Sequence, residues 1–386
     1  MLKQIYKEIE PFDKLDLLSK IAALQLVPEN AERAIRLEAI VHTIVSQNPT
    51  SNQPKISLGH LRRLCNSKYI VDGPIGHAED PCDNMVTEAF TFQGGSYIVF
   101  PGIVEEPTFI LRNLAKALFL MHSPFPDIDF HRKICGLFVA VLRISDAVAQ
   151  RAGLNRRVEP LGRPRGNIVV PSSKKLQQLM GAVTFREEEL KQLLQRHNLS
   201  LDVLEPLVVD TGVISVDDYE IGNTPLHARP FVRINSNIVV AEPGILLATL
   251  RHHIVKLAIE NGHKEEVVRR YRAAVGDSIE EALSYFKLEP IKLPVAPATD
   301  KDPFVDGLFI LDTDKALYVQ LIVDDLSDYT TQEVFGLWQN EGIVPVLEKR
   351  QRDIEASLFS KTPAPNEALV LVLLQGVGRQ AVFAFD

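Results

Sequence analysis

The run Ala316-Leu-Tyr-Val-Gln-Leu-Ile-Val323 contains one residue, Gln320, that is neither aliphatic nor aromatic. A strand with no polar face has to be covered on both sides, because an open face would leave large apolar side chains in water. A chain that carries it folds, at least locally, into layers with helices against a sheet. The flanking segments supply the parts. Gly307–Leu311 is a second β-prone run, and Asp312-Thr-Asp314 is a polar turn between the two. Ser278–Phe286 reads as a preceding helix and 330–358 as a following helical stretch, with Ala368–Leu374 and Ala381–Phe385 as further strands joined through Gly376-Val-Gly378. The expectation for 276–386 is an α/β sandwich with a small mixed sheet.

Upstream of it the chain reads as mostly helical, with two small hairpins. Asp13–Val27 places Leu15, Leu17, Leu18, Ile21 and Leu24 at helical spacing, and Pro28 stops it. Asn30–Ile44 and Ser57–Asn66 repeat the pattern. Thr87–Phe92 and Ser96–Phe100 form a hairpin around Gln93-Gly-Gly95, where glycine supplies positive φ. Helices are expected over 108–121 and 130–151, and Thr184-Phe-Arg-Glu187 fits a capping box that opens one running to His197. Leu201–Val209 reads as a short helix, and Phe231–Ala241 as a second hairpin. A helix then opens at Pro243, and another follows from His263 to Leu288 with a break near Gly276. The fold class is therefore α+β, or mixed, with helical N-terminal regions.

Composition shifts most sharply at 151–175, where Arg151, Arg156, Arg157, Arg163, Arg165, Lys174 and Lys175 face a single acid, Glu159, among prolines and glycines. Such a stretch reads as an exposed connector. It divides the chain into a helical domain with a hairpin (1–152), the basic connector (153–175), a helical region with a hairpin (176–275) and the α/β domain (276–386). The connector is the nucleic-acid-binding candidate, because arginine pairs with phosphate through two parallel hydrogen bonds. It lacks aromatic residues, which argues against stacking on single strands. The alternative is a soluble linker.

Composition narrows the class further. Hydrophobic residues make up 46% and charged residues 24% of 386 residues, the balance of a folded soluble protein with more than one core. No apolar run is long enough to span a membrane, and the N-terminus has no signal-peptide core, so a cytoplasmic location is expected. The net charge of −8 opposes whole-molecule attraction to nucleic acid and leaves only a local basic patch. Cys65, Cys82 and Cys135 are widely spaced with no CxxC, which excludes a disulfide framework and a cysteine-rich zinc site. Nothing orders Cys65, His77 and Cys82 into a nucleophile and base. Arg251-His252-His253 lacks the i, i+4 spacing of a zinc pair, so these histidines are expected at a surface or interface. No phosphate-cradling glycine motif and no nucleophile elbow occurs.

The element order and acids of the last hundred or so residues resemble the restriction-endonuclease-like PD-(D/E)xK superfamily. In that family a helix carrying a Glu precedes a hairpin that supplies an Asp, then an acid and a Lys two residues apart. Carboxylates there hold a divalent cation that activates water, and the lysine orients the water or neutralises charge on the phosphate. Position by position, Glu280 or Glu281 takes the helix role and Asp306 the first hairpin role, with Asp306 as the metal ligand. Gln320 and Ile322 then stand where the acid and the lysine belong. Glutamine brings no charge, and isoleucine cannot replace lysine; Lys315 lies five residues from Gln320, on the opposite face by alternation.

The resemblance thus implies a vestigial site at Glu281, Asp306 and Gln320, no cofactor, and Mg²⁺ only if the site is active. It further implies a non-catalytic nucleic-acid-associated or assembly module of a prokaryotic nucleic-acid processing or anti-phage defence system. A second chain or further domain is the expected partner, with no membrane. The alternatives are a scaffold with no nucleic-acid role and an active metal-dependent nuclease. The acidic cluster Asp312, Asp314, Asp324, Asp325 and Asp328 reads as solvated hairpin ends, since the glycine and glutamate spacing of a calcium loop is missing.

Overall fold

A computed structural model describes residues 2–50, 52–67, 88–92, 95–99, 112–120, 124–154, 167–219 and 224–285, and the C-terminal strands at 290–291, 304–312, 315–324, 367–376 and 380–385. The fold is mixed α+β, and it divides into two compact units. Unit 1 comprises Met1–Leu111 and Asp127–His253; unit 2 comprises Arg112–Pro126 and Ile254–Asp386.

In unit 1, α1 (Leu2–Ile9), α2 (Lys14–Leu24), α3 (Ala34–Val45) and α4 (Leu58–Cys65) form the first layer. Helix α1 lay outside the sequence expectation, although Leu2, Ile5 and Ile9 repeat at helical spacing and the two isoleucines are buried. Lys14 closes its C-terminus: the buried ammonium donates to the carbonyls of Ile9 (2.8 Å), Glu10 (3.0 Å) and Phe12 (3.1 Å), which have no partner within the helix. The Asp13 side chain accepts from the Asp16 amide and starts α2 where expected. Helix α5 (Ile128–Ala152) begins at an Asp127 cap and ends at Gly153, whose φ of 72° is left-handed and needs no Cβ.

Beyond the connector, α6 (Ser173–Val183) is a helix that the sequence reading had left inside and just past the basic segment. Its apolar stripe, Leu176, Leu179, Ala182 and Val183, is buried, and α6 packs on α2 and α5. The capping box at Thr184 is not formed. Thr184–Arg186 is strand β3, paired with Asn237–Val239, and α7 (Glu187–Gln195) starts without a side-chain cap. Pairing places Phe185 at zero exposure in the core, an apolar gain that a cap hydrogen bond does not match. Leu201–Leu207 is a 3-10 turn and leads into β4 (Val208–Asp210).

The hairpin of β5 (Phe231–Ile234) and β6 (Asn237–Val240) forms as expected, turning at Asn235 with φ 55°. The resulting sheet runs β3-β6-β5-β4, with the last pair parallel. The first hairpin, β1 (Glu88–Phe92) with β2 (Gly95–Val99), also stands. A single turn, α8 (Pro225–Ala228), leads from the 3-10 segment Val216–Asp218 toward β5, and α9 (Leu246–Glu260) follows Pro243.

In unit 2, α10 (Lys264–Tyr285) is continuous through Gly276, where a break was expected. Glycine inside a helix costs about 1 kcal/mol against alanine, which the buried Val267, Tyr271, Ala274 and Val275 stripe outweighs. A π-helical turn, Lys116–Leu120, packs on α10. The sheet runs β11-β10-β9-β8-β7, comprising β7 (Pro290–Ile291), β8 (Phe304–Asp312), β9 (Lys315–Asp324), β10 (Glu367–Gly376) and β11 (Gln380–Phe385). Strand β9 is antiparallel to β8 and parallel to β10, and α10 contacts it. The helix expected over 330–358 lies outside the described residues.

The connector's far end is pinned by two asparagines that imitate strand pairing. Asn30 donates to the carbonyls of Leu24 (2.9 Å) and Val169 (3.0 Å) and accepts from the Val169 amide at 2.7 Å. Asn66 treats Ile168 in the same way, accepting from its amide at 2.7 Å and donating to its carbonyl at 3.3 Å. Asn30 is buried, so Asn30→Ala leaves backbone groups of Leu24 and Val169 without partners. We expect a loss of about 1–3 kcal/mol in urea melts.

Candidate functional site

The hairpin of β8 and β9 places the sequence-derived residues on the sheet. Asp306 lies inside β8, at its third residue, where the strand was expected to begin at Gly307. It is directly opposed to Gln320 on β9, and Phe304 is opposed to Ile322. Directly opposed residues are the closest positions that neighbouring strands offer. On the other edge Gln320 is in register with Val372 and Lys315 with Glu367, so Lys315 stands at the far end of β9 from Ile322.

Glu281 sits in the last two turns of α10, and the structure gives it a different partner. The Lys116 ammonium donates to Glu281 (2.8 Å), to Asp277 (2.6 Å) and to the Ser278 hydroxyl (3.1 Å). Ser278 in turn donates to the buried Asn113 at 2.6 Å. The spacing of Asp277 and Glu281 puts both acids on one helix face, where one lysine reaches both. Burial disfavours the Lys116 charge, but the hydrogen bonds to Asp277 and Glu281 outweigh it and hold its pKa above the ordinary lysine value. A permanently charged lysine cannot take the Ser278 proton, so the Ser278–Lys116 pair is not an activated nucleophile.

Of the basic candidates, Lys174 and Lys175 lie exposed in the first turn of α6, and the Lys175 ammonium donates to the Ala152 carbonyl at 3.1 Å. Arg156, Arg157, Arg163 and Arg165 lie outside the described residues, as do His77 and Cys82. Cys65 is buried, and burial pushes its thiol up to about 12, out of the reach of thiolate chemistry at neutral pH. His253 is not a surface residue: it is buried and bonded through Nε2 to the Ala228 carbonyl. Among the described residues no three His, Cys, Asp or Glu side chains are grouped to hold a metal, and no helix is long and apolar enough to cross a membrane.

Unit 1 holds a polar cluster that the sequence reading missed. Its centre is α3, where every described side chain from Arg36 to Val45 is buried. Glu38 accepts from His227 Nε2 at 2.9 Å through Oε2 and is hydrogen-bonded by Tyr219. One turn on, His42 Nε2 bonds the Ser215 carbonyl at 2.9 Å, and its ring lies 5.2 Å from that of Tyr219. Glu242, at the exit of β6, is 4% exposed, beside Gln25 and within the field of Glu38. Oε1 of Glu38, Oε1 of Glu242 and Nδ1 of His42 are buried without a hydrogen-bond partner.

The electrostatics follow from this burial. Removal from water, then the charge of Glu38, pushes the Glu242 carboxyl well above its ordinary value, only partly offset by the Gln25 hydrogen bond. Burial and the same glutamate push the Tyr219 phenol up. Burial pushes His42 down, against the Ser215 carbonyl and the charges of Asp218 and Glu38. Burial thus favours the protonated, neutral form of the Glu242 carboxyl. The sequence does carry one sign of the cluster: Arg36, Glu38 and His42 interrupt an otherwise apolar helix on more than one face.

A protein-family model described as Upx-like, an anti-phage protein, matches residues 2–278. The polar cluster of unit 1 lies inside the matched segment, and the C-terminal sheet lies beyond it. No curated protein and no solved structure matches the chain.

The raised Glu242 carboxyl sets a sign for the pH dependence of stability. A carboxyl whose pKa is raised on folding contributes its full stability below its unfolded value and loses it as pH rises through the folded one. Between those limits each pH unit costs up to about 1.4 kcal/mol. Glu242→Gln, which mimics the protonated acid, is therefore expected to melt increasingly above the parent as pH rises above the ordinary carboxylate range. Thermal melts of both proteins from that range upward check it; parallel curves contradict it.

Proposed function

The chain belongs to the Upx-like family of anti-phage proteins, and from that premise we propose that it acts in the cytoplasm as a non-catalytic, nucleic-acid-associated module of a defence system. Its last unit is a restriction-endonuclease-like layout that has lost the metal motif. The observation that carries this reading is the register of β8 and β9. Asp306 is in register with Gln320, a neutral amide, and the lysine position holds Ile322, in register with Phe304. A divalent cation at such a site would meet one hairpin carboxylate, and no lysine would offset charge on the phosphate.

The Lys116 contact supports the same reading. The helix acid that a working site would turn toward metal is already neutralised by an internal ammonium, shared with Asp277. Helix α10 against β9, the antiparallel hairpin and the parallel β10 supply the element order of the superfamily without its reactive groups. Binding then falls to the basic connector, with Arg156, Arg157, Arg163 and Arg165 in the stretch and Lys174 and Lys175 exposed at the start of α6. These residues grip phosphate without reading bases, so affinity falls steeply with salt. A further chain or domain of the defence system supplies the chemistry.

Incubation of the purified protein with duplex DNA, with and without Mg²⁺ or Mn²⁺, tests both halves. The expected result is salt-dependent binding with no cleavage. Reversing Arg156, Arg157, Arg163 and Arg165 to Glu should weaken binding at least tenfold and flatten the salt slope, since about one unit of slope goes with each lost phosphate contact. Metal-dependent cleavage abolished by Asp306→Ala overturns the non-catalytic reading. Unchanged affinity in the charge-reversed variant reduces the connector to a linker.

A further inference from the structure

Helix α4 has two unlike sides. Leu61, Leu64 and Cys65 are buried in unit 1. The flank at His60 turns toward Glu8, at 3.5 Å, and toward the Phe12 ring, whose centroid lies 4.8 Å away. Gly59, Arg62, Arg63 and Asn66 recur at i, i+3, i+4 and i+7, which places them in one stripe on the side away from the buried residues. Gly59, Arg62 and Arg63 are exposed, and a Cβ added at Gly59 would meet nothing within 4 Å, so the stripe is open where it begins.

The other end of the stripe is where the basic connector re-enters the fold. Asn66 accepts from the Ile168 amide at 2.7 Å and donates to the Ile168 carbonyl at 3.3 Å. The same side-chain amide donates to the Arg62 carbonyl at 3.0 Å. The last turn of α4, which carries both arginines, is thereby tied directly to the connector's exit. From Ile168 the chain covers at most about 14 Å to Ser172, which caps α6 just ahead of the exposed Lys174 and Lys175. All of these residues belong to unit 1 and to the segment matched by the family model.

The two arginines differ from other well-placed arginines of unit 1. Arg151 is matched by Glu189 and lies over the Phe185 ring, and Arg233 is matched by Glu187, Glu205 and Asp210. In a chain whose 50 acids outnumber its 42 lysines and arginines, Arg62 and Arg63 stand side by side with no acid bonded to either among the described residues. Their guanidinium groups are not spent on the helix end either, because the Asn66 amide bonds the carbonyls of Arg62 and Leu64.

We propose that Arg62 and Arg63 form a phosphate-contact surface on α4, beside the connector's exit, that takes the backbone of duplex nucleic acid. This rests on the nucleic-acid association proposed above, and adds to it a surface built on a helix packed into the core. Each guanidinium can pair with phosphate oxygens through two parallel hydrogen bonds, and two adjacent ones suit a row of repeated phosphates. The stripe carries no aromatic side chain on which an unpaired base could stack, which favours duplex over single strands. A contact to phosphates alone fixes the position of the duplex without reading its sequence.

Duplex affinity of the full chain, measured over a series of salt concentrations, tests the surface. The parent is compared with Arg62→Ala/Arg63→Ala, with Arg62→Lys/Arg63→Lys and with the charge-reversed connector. The double alanine variant should bind at least tenfold more weakly near about 0.1 M salt, and its salt slope should fall by about two, one for each lost phosphate contact. The loss should be the same on duplexes of unrelated sequence, and the double lysine variant should keep the parent's slope. Arg63→Ala alone should lower the slope by about one, and it serves if the double variant fails to fold. Parental affinity and slope in the double alanine variant overturn the proposal; the connector reading then survives if the charge-reversed connector still binds weakly. A parent that does not bind duplex at low salt overturns both. If the alanine substitutions weaken binding of a polyglutamate chain and leave duplex binding unmoved, the face serves an acidic protein and the proposal falls.

Discussion

Pairing of β9 along both of its edges is the constraint on which the C-terminal unit depends. Ten residues, Lys315 to Asp324, are in register with Glu367 to Gly376 on one side, while the hairpin with β8 occupies the other. The first partnership is parallel, so the chain must cross over between Asp324 and Glu367 before it can re-enter the sheet alongside. The apolar sequence of β9 favours that arrangement, since a strand with no polar face needs cover on both sides. Once β9 is fixed in this way, the hairpin has a single register, and a slip of one residue would turn every side chain to the other face. The register of Asp306 with Gln320 follows from that pairing.

That logic also explains which parts of the chain were legible beforehand. Both hairpins of unit 1 and the helices opening near Asp13 and Ser57 were visible because local chemistry and tertiary need agree there. The Thr184 box failed because Phe185 does more for stability inside the sheet than a capped turn would, and sequence spacing carries no record of β6. The strand was expected to begin at Gly307, after Asp306, because carboxylates are uncommon in strands, yet pairing with β9 extends β8 back to Phe304. Helix α6 hid behind its lysines: Lys174 and Lys175 continue the basic stretch, while Leu176 and Leu179 already belong to the core.

The polar cluster of unit 1 was illegible for a different reason. Glu38 is far in sequence from Tyr219, His227 and Glu242, and none of the four stands in a recognisable spacing with another. Only the fold brings them together, and only burial changes their chemistry. The two units thus carry opposite kinds of polar arrangement. In unit 2 the acids Asp277 and Glu281 are neutralised by Lys116 and are left without reactivity. In unit 1 Glu38 meets Tyr219 and His227, and burial holds the Glu242 carboxyl above its ordinary value. The family match covers the second kind and stops short of the sheet.

The central claim is that defence by this protein does not run through nuclease chemistry at Asp306 and Gln320. Phage plating on cells that express the chain, compared with cells expressing the Asp306→Ala and Gln320→Ala double variant at matched protein levels, tests it most directly. Protection that survives the double substitution is the predicted result. Protection lost while the variant protein remains folded and abundant would contradict the account and make the hairpin an active site.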